Sequence, residues 1–588
     1  MRRSTSYRLL RRPTTQAPLP KYSLPRYVDP SPSAAHRKLP REEEADLALK
    51  NTKFAPGTRQ TLIALFLLTI VAVPLVQLVG EFRAAGSISR LPMVSIFKSL
   101  PWLPHSEDLK RVERTLENES LVSQWLLPRT QYLLTVLLGA GNEQVYLGHD
   151  PWLFYRADVD HVIGPPFLDP VRMKHRLQAS GVQPDPIKAI VDFRSQLAAR
   201  GIDLVVLPVS VKPSTEGEML AVSNANRTEA SDALPNPSFN EFKARLEREK
   251  VRLFDPAPFL MERGRNGHRY LETDTHWRPE TMEVVAERLA DFLQLPSATA
   301  SLSPSIIEKD IAARGDIATM LKLSRSDKFF PSETVTIRQV VTGNALWRPS
   351  KEADVLLLGD SFSNIFSFEA MGWGESAGFA EHLSVALRRP IDCILRNSDA
   401  SFATREILSN ELARGRDRLA GKKLVIWEFA ARELSFGNWK LLDLKLGEAK
   451  PSRFLSLKTG EEDIAVNGTV ESVSPVPRPG TVPYKDHIEA LHLVDLVAAD
   501  SRGGSVQTPD TFREVASHSQ AVVYLWSMRD DVWTSAARLR PGDRVELRLR
   551  PWPDVSAQYE KFNRTELDDS ALQLEEPVWS DHVEVLNR

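Results

Sequence analysis

A serine lies at the end of an apolar run in the segment DVLLLGDSFS, residues 354–363. Residues 355–358 are apolar, which is typical of a buried strand, and the run stops at Gly359-Asp360-Ser361. Open parallel sheets carry their reactive groups at the carboxyl ends of the strands. Taken alone, Gly-Asp-Ser indicates an ordinary turn. A serine hydroxyl becomes a nucleophile at neutral pH only beside a base, normally a histidine that a carboxylate orients.

The strongest candidate base is His276, in the segment LETDTHWRP. Asp274 precedes it by two residues, and residues i and i+2 of an extended segment point to the same side. The carboxylate can therefore hold the imidazole in one tautomer. By itself the motif also fits a surface Asp-Thr-His turn. Trp277 and Pro279 indicate a constrained segment, and the two motifs together favour a Ser361–His276–Asp274 triad.

A second serine, Ser376, lies in Gly374-Glu375-Ser376-Ala377-Gly378, which fits the G-x-S-x-G nucleophile elbow. That motif needs a buried strand immediately before it and a helix immediately after it. The preceding residues, SFEAMGWG, contain two glycines and a glutamate and no apolar run. We therefore expect Ser376 to lie in a loop that follows Ser361.

Metal and phosphate sites have weaker signals. His161 has Asp158 and Asp160 nearby, an arrangement that fits either a metal site or a solvated loop, and we favour the loop. The sequence has no H-x-x-x-H pattern and no G-x-x-x-x-G-K-[ST] phosphate loop. The single cysteine, Cys393, excludes an internal disulfide framework and a cysteine-built metal site. We predict no metal and no cofactor.

Alternating strands and helices must position these residues. Apolar runs predict strands at 202–210, 251–256, 355–361, 391–397 and 423–429, and amphipathic stretches predict helices at 187–201, 242–250, 380–389 and 404–414. This order favours a parallel sheet with helices on both faces.

With 588 residues the chain is too long for one hydrophobic core, and we predict six segments. They are a basic, disordered cytoplasmic tail (1–59), a transmembrane signal anchor (60–80), a helical stem (81–140) whose helix breaks at Pro128 and resumes after it, the α/β domain (141–446), a Pro-rich linker (447–483) and a small β-rich domain (484–588).

The anchor is predicted from 21 residues without a charge, Gln60 to Gly80. At 1.5 Å per residue they extend about 31 Å, which matches the hydrocarbon core of a bilayer. A buried soluble helix and a cleaved signal peptide are the alternatives. Thirteen Lys and Arg against five Asp and Glu up to Arg59 predict that the tail stays in the cytoplasm. The rest would then lie outside it, in the periplasm of a Gram-negative cell.

In this order the motifs resemble one family. The chain is similar over roughly 140–445 to the periplasmic alginate O-acetyltransferases, the AlgX/AlgJ-like proteins with an SGNH-hydrolase-like domain. The similarity rests on VYLGHDPWLFYR (145–156), LVVLPVSVKPS (204–214), TDTHW (273–277), LLGDSFS (357–363) and VIWEFAARELS (425–435). Asp and His precede Ser, the reverse of typical SGNH hydrolases. Pro151 replaces a usual glycine, and the loop after Asn397 departs from the family pattern.

The resemblance implies a mechanism. His276 would deprotonate Ser361, Asp274 would fix its tautomer, and Ser361 would carry an acetyl group to a sugar hydroxyl. Backbone N–H groups, with Asn364, would stabilise the oxyanion. Trp427, Arg432 and Lys212 would line a sugar groove or, alternatively, serve packing and surface charge.

The resemblance also implies partners. A membrane-bound O-acyltransferase would supply the acetyl group, a polysaccharide would accept it, and one helix would hold the protein in the inner membrane with its catalytic domain in the periplasm. The formal net charge of −2 gives no indication of a nucleic-acid partner. Two alternatives stay open: a carbohydrate acetyl-esterase with the same triad, and a non-catalytic glycan-binding subunit of a polysaccharide-modifying complex.

Overall fold

The computed structural model describes residues 56–85, 120–180, 182–220, 233–261, 267–296, 304–323, 326–343, 345–448, 453–499 without 456, 458, 461, 462, 481 and 483, and 519–587 without 570. The predicted tail (1–59) lies outside these ranges up to residue 55, as does most of the stem, 86–119. The chain forms two compact units, Met1–Ala84 and Ala85–Arg588.

The described part of the first unit is one helix, α1, Pro56–Ala85. Its last residue, Ala85, is the first residue of the second unit. It contains the whole predicted span, 60–80, and is long and apolar enough to cross a membrane. Its leucine, isoleucine and phenylalanine side chains are exposed, as on a helix that faces lipid.

The strands of the second unit are, in chain order, β1 Val145–Leu147, β2 Leu153–Tyr155, β3 Asp203–Val209, β4 Arg252–Leu253, β5 Ser305–Ala313, β6 Glu333–Thr342, β7 Ala345–Leu346, β8 Val355–Gly359, β9 Asp392–Leu395, β10 Leu424–Ala430, β11 Arg453–Phe454, β12 Ile464–Val473, β13 His487–Ala498, β14 Ser519–Arg529, β15 Val532–Trp533, β16 Arg544–Pro551, β17 Asn563–Thr565, β18 Val578–Trp579 and β19 Val583–Asn587.

Its helices are α2 Leu121–Leu138, α3 Arg156–Ile163, α4 Pro170–Ser180, α5 Pro186–Ala198, α6 Lys212–Thr215, α7 Gly217–Leu220, α8 Phe239–Arg248, α9 Ala257–Leu260, α10 Pro279–Leu293, α11 Asp316–Met320, α12 Ser326–Phe329, α13 Ser361–Asn364, α14 Phe379–Leu387, α15 Ala403–Ala413, α16 Glu433–Phe436 and α17 Trp552–Tyr559.

The site rests on a five-stranded sheet in the order β4-β3-β10-β8-β9, in which all neighbours are parallel. Alternate residues of its strands enter two hydrophobic cores, one under α10 and α14 and the other under α5, α8 and α15. Both faces are therefore covered by helices, which confirms the predicted α/β architecture. Burial on both faces explains why β8 and β10 are apolar runs without alternation.

A three-stranded antiparallel sheet, β5-β6-β7, lies between the Asp274–His276 segment and β8 in the chain. The sequence analysis assigned no element to this stretch, because many positions of β5 are exposed and polar and give no apolar signal. The turn after β5 begins α11, which carries Asp316.

The second domain of this unit is a nine-stranded sheet in the order β11-β14-β18-β16-β12-β13-β17, in which β15 also pairs with β14 and β19 with β16. Strands β13 and β14 also pair with each other, so part of the sheet closes into a barrel-like ring. The domain confirms the predicted β-rich region but starts before residue 484. Strands β11 and β12 lie in the stretch 447–483 that we predicted as a linker. The sequence of β12, IAVNGTVESV, contains polar and glycine residues, so its alternation of buried and half-buried positions was not recognisable from the sequence.

The described end of the stem is one helix, α2, which continues through Pro128. The prediction of a break at this proline was wrong. Ser120 caps the helix by accepting a hydrogen bond from the backbone N–H of Ser123 at 3.2 Å. At the other end Gly139 adopts a left-handed conformation with φ of 58°, which glycine tolerates without a steric cost.

Candidate active site

Ser361 begins the short helix α13 directly after the buried strand β8, as the sequence predicted. Asp360 caps this helix: its Oδ1 accepts the backbone N–H of Phe362 at 2.8 Å. The other oxygen, Oδ2, accepts the N–H of Ala430 at 2.8 Å, at the end of the neighbouring strand β10. Asp360 thus links the serine turn to the sheet and has a structural part.

Asp274 and His276 form the predicted pair. The distance between Asp274 Oδ1 and His276 Nδ1 is 2.6 Å, and both side chains are almost fully buried. With its Nδ1–H donated to the carboxylate, the ring presents Nε2 as an acceptor. Nε2 is buried and has no hydrogen-bond partner among the described residues. This is the arrangement that a general base requires before substrate binds.

The two motifs meet through their neighbours in sequence. The rings of His276 and Phe362 lie with centroids 4.8 Å apart, and Phe362 directly follows Ser361. The indole Nε1 of Trp277 donates to the carbonyl oxygen of Phe362 at 3.1 Å. The serine turn and the histidine segment therefore pack on each other, although they come from distant parts of the sequence.

The contact between Asp274 and His276 shifts the pKa of both side chains. Burial lowers the pKa of His276, but the hydrogen bond and the negative charge of Asp274 outweigh it, and the pKa rises above 6.5. Burial likewise raises the pKa of Asp274, and the hydrogen bond and charge of His276 bring it down to about 2. Asp274 is therefore a carboxylate at every physiological pH.

Asp316 is a second carboxyl group beside the pair, and no pattern in the sequence predicted it. Its Oδ2 accepts the hydroxyl of Thr275 at 2.7 Å and its Oδ1 accepts the Thr275 N–H at 2.8 Å. Its own N–H donates to Asp274 Oδ2 at 3.1 Å. Burial and the charge of Asp274 raise the pKa of Asp316 to about 6. The Gly-Asp of RGDIA, 314–318, is the only sequence signal, and that dipeptide is common in turns.

The G-x-S-x-G segment supports the site without supplying the nucleophile. Ser376 is buried, and its hydroxyl donates to the carbonyl oxygen of Val340 at 2.9 Å. The loop that precedes it contains no strand, so the segment does not form a strand-to-helix elbow. Trp373, in the same loop, donates its indole N–H to Asp274 Oδ2 at 2.8 Å. The loop therefore helps to fix the carboxylate.

Two of the residues predicted for a sugar groove lie inside the protein. Lys212 is fully buried, and its Nζ donates to the carbonyl oxygens of Leu153, Glu272 and Asp274 at 2.6, 2.8 and 3.1 Å. Burial lowers its pKa to about 8. Trp427 is also fully buried and donates to the carbonyl of Ala400 at 3.2 Å. Lys212 holds the Asp274 segment against β2, and Trp427 belongs to the core.

Arg432 lies closer to the site. Its guanidinium is 5.9 Å from the Phe362 ring centroid and forms an ion pair with Asp158 at 3.0 Å. The predicted oxyanion donor, Asn364, is buried, and its side-chain amide donates to Asn397 Oδ1 at 2.7 Å. Asn364 is therefore already paired, whereas Arg432 lies beside the residue that follows the serine.

Glu428 is a buried acid under the serine turn. Its Oε2 accepts the Asp360 N–H at 2.8 Å and the Ser363 hydroxyl at 2.7 Å. Burial, and then the charge of Asp360, raise its pKa well above 4.5. Glu428 lies in VIWEFAARELS, one of the segments that resemble the family, and the sequence predicted no part for it in the site.

His161 lies in α3 and not in a solvated loop, contrary to the sequence prediction. It is buried, its Nδ1 lies 2.7 Å from the hydroxyl of Ser435, and Asp158 is engaged by Arg432. In the described part of the chain, Asp274, His276 and Asp316 are the group whose donor atoms lie within 4.8 Å of one another, as a metal ion would require. The Asp274 and Asp316 oxygens already accept N–H and O–H donors, so the arrangement fits a hydrogen-bonded cluster around His276 better than a metal site.

A cavity of about 390 Å³ lies between the α/β domain and the β domain. Its lining includes Asn364, Arg396, Asn410, Asn467 and Arg544, but neither Ser361 nor His276. The cavity therefore reaches the serine helix only at its far end.

Comparisons with known proteins found similar sequences. The model of the SGNH hydrolase-like domain of the acetyltransferase AlgX matches residues 145–431. A probable alginate O-acetylase AlgJ of Pseudomonas putida is 25% identical over 354 residues, which cover 57% of this chain and 80% of that protein. The one of Pseudomonas fluorescens is 25% identical over 359 residues, with 57% and 78% covered.

Solved structures of the same kind are similar to this chain. The O-acetyltransferase domain of Pseudomonas putida AlgJ has 22% identity and a TM-score of 0.38, over 50% of this chain and 93% of that one. Pseudomonas aeruginosa AlgX has 14% identity and a TM-score of 0.35, over 60% and 76%. The matched segment holds both motifs and the whole parallel sheet. Residues 145–431 are therefore similar to the SGNH hydrolase-like domain of the acetyltransferase AlgX.

Proposed function

We propose that the protein is an O-acetyltransferase that carries an acetyl group on Ser361 and transfers it to hydroxyl groups of an exopolysaccharide, alginate or another. The observation that carries this proposal is the buried His276, whose Nδ1 is bound to Asp274 and whose Nε2 has no partner among the described residues. Its ring lies against Phe362, next to the serine. The relatives named as probable alginate O-acetylases support the choice of acetyl as the transferred group and of a polysaccharide as its acceptor.

In the first half-reaction Ser361 Oγ attacks the carbonyl carbon of the acetyl donor. Its proton passes to His276 Nε2, and the leaving group of the donor takes that proton as it departs. In the second half-reaction a sugar hydroxyl attacks the acetyl-serine. His276 accepts the sugar proton and returns it to Ser361 Oγ, so the enzyme is regenerated. Asp274 stabilises the imidazolium in both halves.

The location of the partners is part of the proposal. Helix α1 would cross the inner membrane once and leave the second unit in the periplasm. A membrane-bound O-acyltransferase would supply the acetyl group there. The enclosed His276 favours transfer, because a site that excludes water protects the acetyl-serine from hydrolysis.

The test uses the full chain in detergent with an acetyl-donor ester and oligosaccharides of uronic acids and of glucose. We expect a protein adduct with the mass of one acetyl group on Ser361 and acetylated sugar in the products. Ser361→Ala should abolish both, while Ser376→Ala, which alters the other candidate serine, should keep them. An adduct on another residue would overturn the assignment of Ser361. Acetate release without acetylated sugar for every acceptor would show an esterase instead.

A further inference from the structure

Helix α2 exposes an unusual number of large apolar side chains. Nine of its 18 residues are exposed leucine, valine or tryptophan: Leu121, Trp125, Leu126, Leu127, Leu133, Leu134, Val136, Leu137 and Leu138. Leu137 and Leu138 are 72% and 71% exposed, and Trp125 is 60% exposed. Elsewhere in the described part of the second unit, exposed large apolar residues are scattered along the chain and not gathered on one helix. A contiguous apolar surface of this kind marks a binding surface.

Two neighbouring residues of α2, Gln131 and Tyr132, contact the rest of the domain. Gln131 is buried, and its amide donates to the carbonyl oxygen of Gly141 at 3.1 Å. Tyr132 packs edge-on against Phe329, with ring centroids 5.7 Å apart. The helix is therefore attached to the α/β domain through these two residues, while the nine apolar residues named above stay exposed.

The width of the apolar surface indicates what covers it. At about 100° per residue, the nine exposed positions extend over about 260° of the helix circumference. A helix that packs on a protein needs an apolar stripe of only about 100°. Lipid chains are fluid and cover any arc, so the wide surface fits a bilayer better than the groove of a protein.

The polar residues of α2 fit the same occupant. Arg129 is the only charged residue among the 18, and its guanidinium lies 4.2 Å from the ring centroid of Trp125. Tryptophan and arginine are residues that anchor a segment at the level of the lipid headgroups. The guanidinium can reach the phosphates there while the rest of the side chain and the indole stay in the apolar layer.

The chain also contains a helix that could cross a membrane. Helix α1, which ends at Ala85, is long and apolar enough to cross a bilayer, and 35 residues lie between it and Leu121. Fully extended, that many residues can reach more than about 100 Å, so the connection does not prevent both helices from meeting one bilayer. The domain that holds Gln131 and Tyr132 keeps α2 from spanning the membrane, because one of its sides stays bound to protein.

We propose that α2 is an interfacial helix that lies in the headgroup region of a lipid bilayer, with lipid acyl chains around its apolar surface. The α/β domain then contacts the bilayer through α2. This does not depend on the chemistry of Ser361.

The test places a fluorophore on α2 of the full chain. Cys393 is the single cysteine, so Cys393→Ser gives a background in which Leu137→Cys can carry one environment-sensitive label. Matched controls are Val171→Cys and Leu574→Cys, at apolar residues that are 77% and 88% exposed outside α2. The proteins are reconstituted into vesicles of phosphatidylcholine and phosphatidylglycerol, with or without lipids that carry a nitroxide in the acyl chain.

We expect a blue-shifted emission and several-fold stronger nitroxide quenching at residue 137 than at either control position. A second label at Leu133→Cys, 54% exposed on the same helix, should behave like residue 137 and guards against a local effect of one substitution. Labels at 133 and 137 that are quenched no more than the controls would overturn the proposal and assign the surface to a protein partner. Leu133→Glu together with Leu137→Glu should remove the quenching of a label at 134 without a change in circular dichroism.

Discussion

At the scale of single residues, two carboxylates control the basicity of His276 from different segments of the chain. Asp274 binds its Nδ1 directly, and Asp316 faces it through Thr275, whose hydroxyl lies 3.1 Å from Nδ1. Arg432 opposes them with a positive charge. The net effect is a pKa of His276 above 6.5, so the proton acceptor of the proposed mechanism is lost at a higher pH than for a free histidine.

We therefore predict that kcat/KM falls as the pH is lowered through a value above 6.5, because the protonated imidazole cannot accept the serine proton. Asp316→Asn removes one charge that raises the pKa of His276, so the acid limb of the profile should move to lower pH. The measurement is the pH dependence of acetyl-ester cleavage by the two proteins. An acid limb that stays in place would show that Asp316 does not act on His276. Asp274→Asn is the control for which we expect a large loss of kcat, since the same change in a Ser-His-Asp protease costs about 10⁴ in kcat.

Glu428 allows a prediction about stability. Its raised pKa means that the folded protein keeps this carboxyl protonated above pH 4.5, where the unfolded chain ionises it. The folded state then binds more protons, so Glu428 makes stability fall as the pH rises above 4.5. Glu428→Gln should keep the hydrogen bonds, and its free energy of unfolding relative to the original protein should increase with pH. Urea denaturation at several pH values measures this, and a difference that does not vary with pH would contradict it.

Glu428→Ala is the matched variant. It leaves the Asp360 N–H and the Ser363 hydroxyl without their acceptor, at a cost of about 1–3 kcal/mol for each unsatisfied group. The alanine protein should therefore be clearly less stable than the glutamine protein at neutral pH.

At the scale of elements, the site depends on the close approach of two loops. Gly315 lies against the backbone of the Asp274 segment, and a Cβ atom at this position would lie 2.2 Å from the carbonyl oxygen of Thr273 and 2.4 Å from the Asp274 nitrogen. Its N–H also donates to the Thr273 hydroxyl at 3.0 Å. These contacts fix the position of α11 and of Asp316 relative to the Asp274–His276 pair.

Gly315→Ala should therefore separate the two loops, because the obstructing atoms belong to backbone and cannot rotate away. We expect a large loss of kcat and a lower melting temperature. The control is Gly57→Ala, because Gly57 has open space around it and tolerates a methyl group. Gly343→Ala would not be a matched control, since the φ of 61° at that position adds strain of another kind. Activity of Gly315→Ala equal to that of Gly57→Ala would contradict the importance of this approach.

At the scale of the whole second unit, the β domain reaches into the α/β domain near the serine helix. Arg540 donates to the carbonyl oxygen of Ser367 at 3.0 Å and pairs with the fully buried Glu381 at 3.1 Å. Ser367 in turn donates its backbone N–H to the carbonyl of Asn364, in α13, at 2.9 Å. The two domains are thus joined by a buried ion pair a few residues from the nucleophile.

Removal of Arg540 should be costly, since a buried charge without its partner destabilises a protein by about 3–5 kcal/mol. We expect Arg540→Ala to lower the free energy of unfolding by this order. Addition of Glu381→Gln to that variant should recover a large part of the loss, because no buried charge is then unpaired. A double-mutant cycle by urea denaturation measures the coupling, and additive effects would contradict the ion pair.

From the sequence alone the α/β architecture and the apolar helix α1 could be recognised, and Ser361, His276 and Asp274 could be proposed as a triad. These follow from local patterns, because an apolar run specifies a buried strand and an i, i+2 spacing puts Asp274 and His276 side by side. Only the tertiary structure decided that Asp316, Trp373 and Glu428 support the site, that Lys212 and Trp427 lie inside the protein, and that β12 extends the β domain. Contacts between segments far apart in the chain set the burial and the charge around each of these residues, and no local pattern encodes such contacts.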